Sequence, residues 1–388
     1  MMTSELPRTA DVVVIGGGVM GTSTAYHLAR KGVQNVVLIE KEPFFGVMST
    51  GQCAGGIRHQ FSTEINIRLS IESIRMLERF PEEMDQDIDL RFVGYLFLLT
   101  HEEDVAAFRR NVALQHRLGV MTRWLDPEEI RRLVPQVNLD GVLAGTFYER
   151  DGLCDPSSVV QGYVKNARRL GAQLFTGVTA TGIRKAGNRI VAVETSHGVI
   201  STPVVVNACG AWSPHIGKMA GVDIPIQPLR RQIVVTTPLP EIPPDFPFVI
   251  FFREALYFHR EGEGILTGKS NPNETPGYKL DVDPEWELVH MEEAMYRLPL
   301  LEKAGLLSHW AGLYEVTPDA HPIMGRVPTL EGFYVVAGFS GHGFMHGPIA
   351  GLLMAEEIVD GQAHTVDIAP FRYDRFLVGD LKPEYNVV

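Results

Sequence analysis

The chain has 388 residues, of which 45% are hydrophobic and 21% charged, and this composition excludes disordered, collagen-like and low-complexity chains. Its formal net charge of −12 at pH 7 gives it no general attraction for phosphate backbones, so we expect no nucleic-acid partner. The three cysteines, Cys53, Cys154 and Cys209, lie far apart, which is typical of neither a disulfide framework nor a metal cluster and favours a cytoplasmic location.

The sequence predicts neither a membrane span nor a signal peptide. Its longest apolar stretch, residues 92–99, is far shorter than the roughly 18 residues that a spanning helix needs. The amino-terminal region has no basic segment, and its apolar run over 12–15 ends at once in glycines. We therefore expect no membrane partner.

The first predicted element is a buried parallel strand over 12–15, followed by a glycine-rich turn that matches G-x-G-x-x-G. Gly16 permits the tight turn, Gly18 lets the backbone approach a pyrophosphate, and Gly21 lets the next helix pack closely on the strand. The turn therefore predicts a site for a dinucleotide.

A helix over 19–31 and a second strand over 36–39 complete a βαβ unit. Gly32 ends the helix, and Glu40 follows the second strand at about the spacing at which an acid binds an adenosine ribose. Glu40 favours an unphosphorylated ribose, which argues against NADP. At this point NAD and FAD both remain open.

A polar loop rich in small residues, 48–61, favours FAD over NAD. Nicotinamide enzymes usually continue directly into another βα unit, whereas such a loop lets the chain pass close to a pyrophosphate and a tricyclic ring. The loop precedes a helix whose apolar face carries Ile67, Ile71, Ile74 and Leu77.

The remaining elements alternate in type along the chain. Residues 86–149 predict one strand and two helices, the second capped by Asp126 with Pro127 at its first position. Residues 223–310 are rich in proline, aromatic and β-branched residues, which indicates a separate antiparallel sheet. The other predicted elements are a helix at 157–170, a strand at 173–176, a strand pair at 190–195 and 199–206, a strand at 332–337 and a helix at 348–359.

These elements predict an α/β protein with two interleaved domains, the second of them α+β. We assign 1–85, 150–222 and 318–388 to a Rossmann-like FAD-binding domain, and 86–149 and 223–317 to an antiparallel-sheet substrate domain. Because the chain crosses between the domains several times, their interface is a natural ligand cleft.

Six motifs together resemble the D-amino-acid-oxidase/glycine-oxidase superfamily of FAD oxidoreductases. Within it the chain is most similar to the sarcosine oxidases (monomeric forms and beta subunits) and to the beta subunits of L-proline dehydrogenase. The resemblance covers nearly the whole chain and implies the same two-domain plan. The motifs are the glycine turn at 16–21 and the segments 49–58, 94–99, 207–212, 317–322 and 338–344.

The resemblance and the glycine turn together predict the residues that bind FAD. The family uses the backbone at the Val178 position for the adenine and has a lysine where this chain has Met345. The helix that follows the segment 338–345, with Pro348 near its first turn, would aim its N-terminus at the negative edge of the reduced flavin. The full set is Gly16, Gly17, Gly18, Val19, Met20, Gly21, Glu40, Lys41, Ser49, Thr50, Gly51, Gly55, Gly56, Val178, Ala208, Gly210, Trp212, Gly338, Gly341, His342, Gly343, Phe344 and Met345.

One departure concerns the attachment of the cofactor. Where monomeric sarcosine oxidases link FAD through a cysteine, this chain has Gly312, and neither Cys53 nor Cys154 matches that position. The resemblance therefore implies non-covalent FAD.

Arg58 is the first candidate for binding a substrate carboxylate or for contacting the flavin, since its guanidinium offers a planar fork. A surface salt bridge is the alternative for Arg58. Tyr257 and Tyr314 match the two active-site tyrosines of the sarcosine-oxidase pattern, although buried tyrosines also serve structure.

The cation that activates O₂ is less clear in the sequence. The family lysine aligns near Leu266, and Lys269 would point to the opposite side of a strand. Lys269 and His342 are nevertheless carried as candidates, with an exposed loop lysine as the alternative for Lys269.

Two other motifs do not support a nucleophile or a metal site. The segment 338–342 resembles a nucleophile elbow, but His342 occupies the place of the last glycine. His342 and His346 have i, i+4 spacing, yet the glycines around them disfavour a helix that carries both, and no third ligand is evident. We expect no metal.

The expected activity is that of an FAD-dependent amine oxidase. It would oxidise a small secondary or N-methyl amino acid, sarcosine first, by hydride transfer to flavin N5, hydrolysis of the imine, and reoxidation by O₂ with release of H₂O₂. One alternative is a dehydrogenase subunit of the proline or dimethylglycine type that passes electrons to a partner subunit. The others are a NAD-dependent hydride enzyme and a non-enzymatic FAD-binding assembly module.

Overall fold

The computed structural model describes residues 5–387 and confirms the mixed α/β fold. The strands are β1 Val12–Ile15, β2 Val36–Ile39, β3 Gly56–Ile57, β4 Tyr95–Leu99, β5 Arg123–Leu125, β6 Ala144–Tyr148, β7 Gly152–Leu153, β8 Gln173–Phe175, β9 Ala180–Ala186, β10 Arg189–Thr195, β11 Gly198–Ser201, β12 Val205–Asn207, β13 Gln227–Thr236, β14 Phe248–Phe251, β15 Leu256–Glu261, β16 Gly264–Lys269, β17 Leu306–Val316, β18 Ile323–Arg326 and β19 Phe333–Ala337. The helices are α1 Val19–Arg30, α2 Glu64–Glu78, α3 Phe80–Met84, α4 Glu102–Arg117, α5 Pro127–Leu133, α6 Pro156–Arg169, α7 Ser213–Ala220, α8 Pro284–Arg297, α9 Gly343–Val359 and α10 Arg375–Val378.

The first of the two large sheets has six strands, in the order β18-β19-β12-β1-β2-β8. All neighbours are parallel except β18 and β19. Both faces are covered, which explains the continuous apolar runs of β1 and β2. Val12 and Val14 pack towards the helices, including α1, α6 and α9, whereas Val13 and Ile15 pack towards α7 and the strands β9 to β11.

The predicted strand pair at 190–195 and 199–206 is wrong in its second member. β11 ends at Ser201 and pairs with β10, and the chain then crosses into the six-stranded sheet as β12, which starts at Val205. The partner that completes the small antiparallel sheet is β9, which was not predicted. Pro203 lies between β11 and β12, and proline is disfavoured inside a strand, so a local signal for the break was present and was overlooked.

The second large sheet has eight strands, in the order β17-β13-β16-β15-β14-β4-β6-β5. It is antiparallel except where β14 and β4 run parallel. Its strands come from 86–149 and 223–317, while the six-stranded sheet draws on the other three segments. The domain boundaries themselves remain our prediction.

The helix α9 begins at Gly343, earlier than the predicted start at Pro348, which lies inside the helix. Gly347 and Gly351 lie inside α9, and they are needed there because α9 packs against α1 at very close range. A Cβ at Gly347 would lie 2.4 Å from Val19 Cγ2, and a Cβ at Gly351 would lie 2.1 Å from Ser23 Oγ. His346 is therefore helical, contrary to the prediction, and His342 is the N-cap residue.

Residues 5–387 contain no helix that is long and apolar enough to cross a membrane. Within the same residues, no group of three or more histidine, cysteine, aspartate or glutamate side chains is arranged so that it could hold a metal ion.

Candidate functional site

Two adjoining cavities lie between the sheets. The large cavity has a volume of about 400 Å³ and the small cavity one of about 100 Å³. Six residues line both of them and so mark the place where they meet. These are Ser49, Cys53, Leu313, Tyr314, Gly341 and Phe344.

The glycine turn after β1 shapes one end of the large cavity. Gly16 has a φ of +110°, and a Cβ there would lie 2.4 Å from the Ala208 carbonyl oxygen. Gly18 has an ordinary φ of −74°, so its backbone does not require a glycine. A side chain there would instead crowd the N-terminus of α1, because its Cβ would lie 3.1 Å from Thr50 Oγ1. A Cβ at Gly21 would meet the Gly16 carbonyl oxygen, which confirms close packing of helix on strand.

Glu40 stands at the carboxyl end of β2 and lines the large cavity. Its Oε2 accepts a hydrogen bond from Gly17 N at 2.6 Å, and its Oε1 accepts one from Glu42 N at 2.8 Å. Beside it the Lys41 ammonium lies 4.3 Å from the centre of the Trp212 ring. A helix N-terminus, a bare glycine turn and an acid at this place fit the pyrophosphate and ribose of an adenine dinucleotide.

Most of the predicted cofactor residues line the large cavity. They are Gly16, Gly17, Gly18, Val19, Met20, Glu40, Lys41, Ser49, Thr50, Val178, Ala208, Gly210, Trp212, Gly341, Gly343 and Phe344. Four more line only the small cavity, namely Gly55, Gly56, His342 and Met345. The remaining three, Gly21, Gly51 and Gly338, line neither cavity and serve the backbone around them.

Glu315 also lines the large cavity and was not predicted. It is partly buried and accepts a hydrogen bond from Gly338 N at 2.9 Å. Burial raises the pKa of its carboxyl to about 7, well above the ordinary 4.5, and the hydrogen bonds from Gly338 and Phe339 only partly oppose this. The signal was its place directly after Tyr314, which put an acid beside a candidate site residue.

His342 lies at the start of α9 and lines the small cavity. Its ring packs 5.3 Å from that of Phe61 and 5.2 Å from that of His346, and neither ring nitrogen has a hydrogen-bond partner within residues 5–387. Burial, helped by the neighbouring His346, holds the pKa of His342 well below its usual range. It is therefore a neutral imidazole, and the expectation that it supplies a positive charge is not supported.

One face of the eight-stranded sheet forms the wall of the small cavity. Tyr257 pairs with Gly268 and Tyr314 with Leu229, and both tyrosines line the small cavity. A Cβ at Gly268 would lie 2.2 Å from the Tyr257 hydroxyl oxygen, so the glycine makes room for that ring. Burial raises the pKa of both phenols, which keeps them protonated at neutral pH.

Arg58 reaches the small cavity, but its guanidinium is already engaged. Its two terminal nitrogens donate to the backbone carbonyls of Gln60 and Asn386. Its Cζ also lies 3.9 Å from the centre of the Phe61 ring. The carboxyl-terminal segment therefore holds Arg58 in place, a contact between residues that are far apart in sequence.

Lys269 does not line either cavity, so its candidacy as the cation that activates O₂ is not supported. In β16 it pairs with Gln232 and Leu256 and points to the opposite face from Gly268. Its ammonium lies 2.8 Å from the Glu293 carboxylate on α8, a helix that was not predicted.

Arg231 is the cation on the cavity face that sequence reasoning missed. It pairs with Gly312 across β13 and β17, and its Cζ lies 5.0 Å from the centre of the Tyr314 ring. The signal was present in the Arg230-Arg231 pair, because adjacent strand residues point to opposite faces.

Comparison with known proteins agrees with this geometry. The family described as "DAO: FAD dependent oxidoreductase" matches residues 11–357. A protein of Bos taurus named FAD-dependent oxidoreductase domain-containing protein 1 is 33% identical over 435 residues, which cover 100% of this chain and 89% of the relative.

Two further relatives carry names of amino-acid dehydrogenases. Human mitochondrial sarcosine dehydrogenase is 32% identical over 390 residues, covering 95% of this chain and 42% of the relative, so the chain spans less than half of that protein. The crystal structure of L-proline dehydrogenase from P. horikoshii superimposes with a TM-score of 0.90 at 35% identity, covering 97% of this chain and 100% of that one.

Proposed function

The chain belongs to the DAO family of FAD-dependent oxidoreductases, and from this premise we propose that it oxidises the C–N bond of a small secondary or N-methyl amino acid, with sarcosine as the first substrate. Membership confirms the predictions of an enzyme and of FAD as cofactor. The finer statements below are proposals.

The observation that carries the proposal is the small cavity that opens beside the large one. A cavity of roughly 150 Å³ holds benzene, so one of about 100 Å³ suits a substrate of only a few heavy atoms. Two guanidinium groups and three phenols line it, from Arg58, Arg231, Tyr95, Tyr257 and Tyr314. This combination of cationic and hydrogen-bonding groups favours a small anionic substrate such as an amino acid.

The residues of the large cavity would hold FAD, which supplies a two-electron acceptor when bound. The glycine turn and the start of α1 would take the pyrophosphate, and Glu40 the ribose. The start of α9 borders both cavities through Phe344 and would place backbone N–H groups and a positive helix end where negative charge develops.

The chain's own residues would position the substrate rather than transfer its protons. Tyr257 and Tyr314 are protonated donors at the cavity wall, and His342 is a neutral ring at its other side. None of these is a strong base, which suits a mechanism in which the amine binds unprotonated. The sheet and the start of α9 would limit the access of water to the reacting carbon.

Two electron acceptors are proposed for the second half-reaction. O₂, with release of H₂O₂, requires a positive charge near the flavin, and the small cavity offers the guanidinium of Arg231 for this. Transfer to a partner subunit is favoured by a specific observation, that Lys269 faces away from the cavity and no other lysine within residues 5–387 lines the small one. The dehydrogenase names of two relatives support the same candidate.

The deciding experiment is anaerobic reduction of the purified holoenzyme, followed through the visible absorption of the flavin. We expect sarcosine or L-proline to bleach the flavin, and the matched amines without a carboxylate, dimethylamine and pyrrolidine, to do so far more slowly. Failure of all amino acids would overturn the proposed substrate class. Re-admission of O₂, compared with an artificial acceptor, then separates oxidase from dehydrogenase.

A cytoplasmic location also remains a proposal. It rests on Cys53, Cys154 and Cys209, all of which are free thiols in the structure.

A further inference from the structure

We propose that Arg231, and not Arg58, is the residue that binds the carboxylate of the substrate. The inference rests on the proposed function for its amino-acid substrate, and it assigns a specificity-determining role to a residue that no motif of the sequence marks.

The hydrogen bonds of the two guanidinium groups differ. Arg58 has both terminal nitrogens engaged with backbone carbonyls, those of Gln60 and Asn386. Arg231 donates from Nη1 to the Arg230 carbonyl at 2.9 Å, while its Nε is buried without a partner within residues 5–387. A buried N–H donor without an acceptor is unfavourable, so this edge of Arg231 is incomplete until a ligand supplies one.

The adjacent residues Arg230 and Arg231 differ in their charged neighbours. Arg230, on the opposite face of β13, is paired with the carboxylates of Glu274, Asp281 and Asp283. Arg231 has no ion pair within the described part of the chain, and burial lowers its pKa. Adjacent arginines thus have opposite roles, one neutralised by the protein and the other left as an uncompensated positive charge in a cavity.

The placement of Arg231 fits a substrate that lies across the cavity. Opposite it on β17 is Gly312, which has no side chain to block the guanidinium, and the Tyr314 ring lies two residues further along that strand. The edge formed by Nε and Nη2 of an arginine is a fork that binds both oxygens of a carboxylate. A carboxylate bound there would leave the amine end of a small substrate towards the junction of the two cavities, beside Tyr314 and Gly341.

The test separates carboxylate binding from turnover. Holoenzyme is titrated with propionate and with its neutral isostere propionamide, and binding is followed through the flavin spectrum and by calorimetry. In the wild type we expect propionate to bind at least tenfold more tightly than propionamide. In Arg231→Met that preference should be lost while propionamide binding is kept, and Arg231→Lys should restore only part of it, because an ammonium has no planar fork.

Two further variants complete the design. Lys303→Met removes an exposed cation that is paired with Glu241, and it should behave as the wild type. Arg58→Lys keeps a cation at the other candidate position. If propionate preference survives in Arg231→Met but is lost in Arg58→Lys, the inference is overturned.

The result also distinguishes this inference from the proposed function. If no amino acid reduces the flavin and propionate binding still depends on Arg231, the carboxylate site stands and the substrate class fails. If amino acids are oxidised but kcat/KM for L-proline relative to pyrrolidine is unchanged in Arg231→Met, the proposed function stands and the role of Arg231 fails.

Discussion

Glu40 accepts a hydrogen bond from the backbone N–H of Gly17 at 2.6 Å, which ties the end of β2 to the glycine turn that follows β1. The same carboxylate accepts a second bond from Glu42 N at 2.8 Å. Glu40 therefore lines the large cavity and also holds in place the two loops that would contact a dinucleotide.

Glu40→Ala should weaken FAD binding through both effects. Loss of a hydrogen bond to a charged acceptor costs about 1.5–3 kcal/mol, so the dissociation constant should rise on the order of 10- to 100-fold. Calorimetric titration of apoprotein with FAD measures this directly. Glu42→Ala, which keeps the Glu42 backbone N–H, is the matched control and should bind FAD as the wild type does. Equal affinity in the Glu40 variant would contradict the assignment of Glu40 to the cofactor site.

Gly18→Val should abolish FAD binding without unfolding the protein. The φ of Gly18 is −74°, so valine meets no backbone strain, but its side chain would enter the space beside Thr50 where the pyrophosphate approaches. The control is Gly277→Val, whose Cβ would contact only Lys279 side-chain carbons at 3.6 and 3.7 Å. We expect colourless, folded protein from the first variant and yellow protein from the second, judged by absorbance and circular dichroism. Full FAD content in both would show that the turn does not bind the cofactor.

FAD should be released by acid precipitation, because nothing at the expected position can form the covalent link. Gly312 lies against Gln52 in the wall of the small cavity. Cys53 lines both cavities, but burial raises the pKa of its thiol to about 12, and a protonated thiol is a poor nucleophile. The yellow colour should therefore appear in the supernatant. Colour that stays in the pellet of the wild type but not of Cys53→Ser would identify Cys53 as an attachment point.

The parts of the fold that were predicted correctly are those with a strong local signal. The apolar run of β1 and the Asp126 cap of α5 depend on residues close in sequence, and the structure shows the cap with its reciprocal bonds to Glu129. The cofactor cradle was predicted for the same reason, because its turn, helix and terminal acid all lie within 16–40.

The parts that were missed depend on contacts between distant segments. Helix α8 has a polar, weakly patterned sequence, and its burial against the eight-stranded sheet becomes visible only once that sheet exists. The engagement of Arg58 by Asn386 joins residues more than 300 positions apart. The different hydrogen bonds of Arg58 and Arg231 could not be predicted from the sequence for the same reason.

Glu315→Gln should stabilise the protein at alkaline pH more than at acidic pH. Burial raises the folded pKa of Glu315 to about 7 from an ordinary value of 4.5. Its favourable contribution is therefore present below about pH 4.5 and is lost as the pH rises through 7. A glutamine keeps an acceptor for Gly338 N without a charge, so the gain should grow to about 3 kcal/mol at pH 8. Melting temperatures between pH 5 and 8, with and without excess FAD, measure the trend, and the exposed Glu128→Gln is the control. A gain that does not change with pH would contradict the buried carboxyl.

Lys269→Met should lower stability and leave the reoxidation of reduced enzyme by O₂ unchanged. The side chain is 9% exposed and lies on the face of β16 that packs against α8, where its ammonium is paired with Glu293. Loss of that partner leaves a half-buried carboxylate uncompensated, at a cost of about 1–3 kcal/mol.

The rate of reoxidation by O₂ should not change in Lys269→Met, because a charge on the outer face of the sheet is separated from the cavity by the sheet itself. Stopped-flow mixing of dithionite-reduced holoenzyme with O₂ measures the rate, and thermal melts measure the stability. Arg231→Met is the informative comparison, since it removes a cation that does line the small cavity and should slow reoxidation if the enzyme is an oxidase. Slower reoxidation in Lys269→Met, with an unchanged melting temperature, would show that this lysine reaches the flavin after all. A wild type that is readily reduced by an amino acid but reoxidised by O₂ no faster than free flavin would assign the enzyme to the dehydrogenases.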